Sequence, residues 1–77
     1  MIYEYNEKEK IVKIDDRTVY LTVSEDRLFK KLYKSDFAPI GIEDINQLLW
    51  SGHATDSFIE DFIRRLEKKL GISIKLL

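Results

Sequence analysis

Seventy-seven residues, 44% hydrophobic and 35% charged, set the scale of one small domain with a modest core and a well-solvated surface. Thirteen basic residues nearly cancel fourteen acidic ones, so no global field argues for nucleic acid or for an acidic mimic of it. Without Cys there is neither a disulfide framework nor a thiolate nucleophile, and no apolar run reaches transmembrane length.

The opening Met1-Ile2-Tyr3-Glu4-Tyr5 lacks the basic region and long apolar core of a signal peptide. Residues 2–5 read as a short strand, and Asn6-Glu7-Lys8-Glu9 as a charged turn. Residues 10–14 and 18–23 read as two strands around a tight Asp15-Asp16-Arg17 turn, an antiparallel hairpin. In the second strand Val19, Leu21 and Val23 alternate with Thr18, Tyr20 and Thr22, which predicts one core face and one wet face. Ser24 then opens a helix with Glu25 and Asp26 in its first turn, where the helix dipole favours acids. Leu28, Phe29, Leu32 and Tyr33 form its apolar face.

Pro39 and Gly41 break the chain into a loop over residues 35–41. A second helix follows over residues 42–50, burying Ile42, Ile45, Leu48 and Leu49, and Gly52 ends it. Thr55-Asp56-Ser57 can cap a third helix, in which Phe58, Ile59, Phe62, Ile63, Leu66 and Leu70 repeat at helical spacing until Gly71. Residues 72–77 read as a final strand. The expected fold is α+β, in the order β-β-(β)-α-α-α-β. A small antiparallel or mixed sheet joins the N-terminal hairpin to the C-terminal strand, with three helices on one face. Residues 1–77 are expected to form a single complete domain whose two ends meet in that sheet.

The sharpest candidate surface is a basic stripe. Arg27, Lys30, Lys31 and Lys34 recur at i, i+3, i+4 and i+7 on one face of the first helix, and only Asp26 is spaced to neutralise one of them. The third helix differs, because Glu60–Arg64 and Asp61–Arg65 are internally balanced i, i+4 pairs. The stripe suits docking onto phosphates or an acidic partner, and it equally suits an ordinary solvated helix face. Tyr3, Tyr5 and Tyr20 lie in strand-like segments, where they can stack unpaired bases or simply cover the sheet. Trp50 is either an interface anchor or a partly buried lid on the core. His53, the single histidine, has no second ligand or acid–base partner at a useful spacing. No phosphate loop, dinucleotide fingerprint, calcium loop or nucleophile elbow occurs, so the expectation is a non-enzymatic chain with no cofactor or metal. A helix-turn-helix around Gly52 is disfavoured, because the reading end of the third helix would carry Asp56, Glu60 and Asp61.

The hairpin-then-three-helices order over residues 10–72 resembles the winged-helix domains that bind leader peptides of ribosomally made peptides. That resemblance implies a peptide added as a strand to the hairpin edge; the final strand departs from it. Leu66-Glu67-Lys68-Lys69-Leu70-Gly71-Ile72-Ser73-Ile74 is similar to the last helix and strand of KH-type RNA-binding domains. Their GxxG loop is missing, since the chain reads Gly52-His53-Ala54-Thr55. The functional expectation is a cytoplasmic protein-binding module: a small adaptor, inhibitor or regulator, in monomeric or homodimeric form. Scarce Ala and Pro with abundant Ile and Lys fit an AT-rich genome, phages and mobile elements included. Its candidate partner-binding residues are Arg27, Lys30, Lys31, Lys34, Tyr20 and Trp50. The alternative is nucleic-acid binding through the first helix's basic face.

Overall fold

The computed structural model describes residues 3–77. Three short strands, β1 (Tyr3–Asn6), β2 (Ile11–Ile14) and β3 (Arg17–Tyr20), precede three helices, α1 (Val23–Lys34), α2 (Ile42–Trp50) and α3 (Asp56–Leu70). The strands form one antiparallel sheet in the order β1-β2-β3, so the chain is of the α+β class. Ile2, expected in the first strand, lies outside the described residues; the strand itself runs to Asn6. Asp15 and Asp16 make the hairpin turn, with Asp15 at φ 55°, a left-handed conformation that Asp tolerates better than most residues. Arg17 therefore belongs to β3 and pairs with Ile14 rather than sitting in the turn.

Two expected strands are redirected by local hydrogen bonding. The alternation that carried the third strand to Val23 stops at Tyr20. The Thr22 hydroxyl accepts from Glu25 N–H, and the Glu25 carboxylate accepts from Thr22 N–H. This reciprocal box satisfies two donors that a strand would leave open, and it starts α1 one residue before Ser24. Val23 is thereby turned out to solvent, 63% exposed.

The C-terminal segment does not enter the sheet. Gly71 caps α3 in the left-handed region at φ 69°, and the Glu67 carboxylate captures Ile74 N–H at 2.8 Å. Held there, the segment meets the loop before α2. Ile40 N–H donates to Lys75 C=O and Leu77 N–H donates to Ile40 C=O, a single parallel bridge. Among the described residues, β1 and the C-terminal segment therefore do not share a sheet.

The core lies between the inner sheet face and the helices. Val12, Ile14, Val19 and Leu21 face Leu28, Phe29 and Leu32 of α1, Ile45 and Leu49 of α2, and Ile59, Ile63, Leu66 and Leu70 of α3. Ile40 and Ile74, either side of the parallel bridge, are buried in the same cluster. The α2–α3 turn is fixed by Asn46, whose side chain donates to Ala54 C=O and accepts from Ala54 N–H.

Candidate functional site

The first candidate surface is the free edge of β3. Leu21 N–H donates to Lys10 C=O, so Lys10 and Leu21 are a hydrogen-bonded pair. Antiparallel pairs alternate, which gives the same inward role to Val19 and Arg17 and turns the N–H and C=O of Thr18 and Tyr20 away from β2. Among the described residues nothing bonds those four groups. Tyr20 is 68% exposed beside them, on the outer face of the sheet as its alternation predicts. Arg17 is turned to α3, where Nη2 donates to Leu70 C=O at 3.4 Å.

The second surface is the basic stripe, and the structure divides it. Lys30 pairs with Glu7 in the turn after β1, a contact across elements that spacing within the helix did not reveal. The hydrogen bond to Glu7 raises the Lys30 pKa, and the same contact lowers that of Glu7. Asp26, expected to neutralise Lys30, is instead buried and accepts from Tyr5 Oη at 2.5 Å. Burial, then the hydrogen bond and charge of Asp26, push the Tyr5 phenol well above its ordinary range. Tyr5 also packs on Phe29 and Tyr33, with ring centroids 5.0 and 5.5 Å away. These contacts fasten β1 to α1. Arg27, Lys31 and Lys34 remain exposed, with no acidic group in ion-pair range among the described residues.

At the other end of the sheet-facing layer, Lys69 of α3 donates to Glu25 at 2.8 Å. Burial pushes the Glu25 carboxyl up, but the Lys69 ammonium and the Thr22 N–H outweigh it and hold the carboxyl below its usual range. Glu25 thus serves the helix cap and an α1–α3 tie together.

The third surface surrounds Trp50. Its ring meets Phe58 and Phe62 edge-on, both at 5.1 Å between centroids. Trp50 is half-buried, while Phe58, part of the apolar repeat of the third helix, is 48% exposed. With His53, Ala54 and Thr55 they line a shallow, largely apolar cleft of about 430 Å³. His53 is exposed, and among the described residues no cluster of His, Asp or Glu has metal-binding geometry. The six predicted partner-binding residues therefore fall on three surfaces: Tyr20 at the β3 edge, Arg27, Lys30, Lys31 and Lys34 on α1, and Trp50 at the α2–α3 corner. No family model matches the chain, and no curated protein or solved structure is significantly similar to it. No described helix is long and apolar enough to cross a membrane.

Proposed function

We propose that the chain is a non-enzymatic protein-binding module that takes an extended segment of a partner protein onto the open edge of β3. The observation that carries this reading is the unpaired row of Thr18 and Tyr20 backbone groups beside an exposed tyrosine. An added strand would draw affinity from main-chain hydrogen bonds and selectivity from alternate side chains next to Tyr20. Arg27, Lys31 and Lys34 form a separate positive face that favours an acidic partner surface and would speed encounter more than tighten the complex. Small adaptors, inhibitors and regulators work through surfaces of this kind.

The test is capture of partners from lysate of the source cell, with and without nuclease and at two salt concentrations. It is paired with amide chemical-shift mapping of whatever is captured. The expected result is a discrete protein that survives nuclease and moves the Thr18 and Tyr20 amides. Thr18→Pro deletes an outward N–H without breaking the β2 ladder and should weaken that capture. Recovery of nucleic acid, lost steeply as salt rises, would replace this reading with phosphate binding by Arg27, Lys31 and Lys34.

A further inference from the structure

The edge that would receive a partner strand is also complementary to itself. We infer that β3 pairs antiparallel with β3 of a second copy, about a two-fold axis at Val19, and that this self-pairing competes with partner capture. The inference rests on the same open edge as the proposed function.

Backbone parity selects the register. With Val19 at the axis, Thr18 of each copy lies opposite Tyr20 of the other, and all four outward-facing groups of each edge find partners. An axis at Thr18 or at Tyr20 would place one of these residues opposite Asp16 or Thr22 instead. The central residues are uncharged. β3 holds no Pro and its register with β2 has no bulge, so two of the usual protections of an edge strand are missing; its four-residue length and the inward-turned Arg17 are the protections it keeps. Its one charge, Arg17, points to the Leu70 carbonyl, and in this register the two Arg17 backbones stand about 13 Å apart at opposite ends of the ribbon.

The other sheet edge does not offer the same solution. In β1 the outward groups belong to Tyr3 and Tyr5, so the matching axis falls at Glu4 and would set two carboxylates face to face. Self-association is therefore assigned to β3. Two strands of four residues bury little area, which places the dimer in the weak, transient class and leaves the edge available to a better partner strand.

The experiment is sedimentation equilibrium of the full chain over a wide concentration range, with two double variants. Thr18→Lys with Tyr20→Lys puts like charges opposite each other across the axis. Thr18→Glu with Tyr20→Lys puts opposite charges there. All four substituted side chains lie on the exposed face, and circular dichroism checks that each variant keeps the wild-type fold. The expected result is a concentration-dependent wild-type dimer, loss of dimer in the Lys/Lys variant, and several-fold tighter dimerisation in the Glu/Lys variant. A wild type that stays monomeric throughout would overturn the inference. So would a dimer equally tight in both variants, which would place the contact elsewhere. A partner segment that leaves the Thr18 and Tyr20 amides unmoved would count against strand capture alone and leave the sedimentation result standing.

Discussion

Tyr5 shows how one side chain does two jobs. Its ring completes the packing over Phe29 and Tyr33, and its hydroxyl gives the buried Asp26 carboxylate a donor. Tyr5→Phe keeps the ring and deletes the donor, leaving a buried acceptor without its partner. Urea unfolding should show a loss of about 1–3 kcal/mol. The pH dependence carries a second signature. The Tyr5 pKa is raised in the folded chain from an ordinary value of 10.0, so its contribution is whole below that pH and is lost as pH rises beyond it. Wild-type stability should therefore fall in that alkaline range, and Tyr5→Phe should lack that part of the fall. The pair was invisible in the sequence because Asp26 stood where a helix-surface acid belongs. Only the arrival of β1 over α1 makes it a core acceptor. The counter-ion of Lys30 is hidden from helix spacing for the same reason, since Glu7 comes from a turn distant in sequence.

At the scale of elements, the helices were legible and the strand ends were not. Helix 2 and helix 3 span the residues that spacing predicted; in helix 3, Thr55, Gly71 and the apolar repeat all favour the same boundaries, whereas helix 2 has no side-chain N-cap and closes on Ser51 in the left-handed region, one residue ahead of Gly52. The β3–α1 junction is different. Alternation favours strand through Val23, whereas the Thr22–Glu25 box favours helix, and the box closes two hydrogen bonds that the edge of a sheet cannot supply. Thr22→Ala should cost about 0.5–2 kcal/mol in thermal or urea unfolding. Glu25→Gln keeps an acceptor for Thr22 N–H but loses the charge that Lys69 meets. The Glu25 pKa is depressed below its ordinary 4.5, so its contribution is present above that pH and disappears as pH falls through the folded value. Acid titration of Glu25→Gln should accordingly show a shallower loss of stability below pH 4.5 than the wild type. The candidate surfaces were only half legible. Tyr20's exposure follows from alternation, but which strand lies at the edge depends on the sheet order, a pairing between segments that periodicity within one segment does not encode.

For the molecule as a whole, size sets the margin. A chain of 77 residues is expected to have about 4–12 kcal/mol of total stability. Phe29 is fully buried and touches the aromatic rings of Tyr5, Tyr33 and Phe37. Phe29→Ala should cost about 3–5 kcal/mol, enough to bring the fold near its limit, and calorimetry should find a strongly lowered or absent transition. Surface changes at Arg27, Lys31 or Lys34 should leave the transition nearly unmoved while altering any electrostatic docking. That contrast makes the α1 face safe to mutate and the core beneath it unsafe.

The parallel bridge between Ile40 and Leu76 has a kinetic consequence. It joins the loop ahead of α2 to the segment behind α3, so the two helices lie inside a ring of chain closed by two backbone hydrogen bonds. An opening of the whole bridge exposes the Ile40 and Leu77 amides together, so in that event deuterium exchange should give them similar protection factors, while the buried helical amides between them wait for a larger and rarer event.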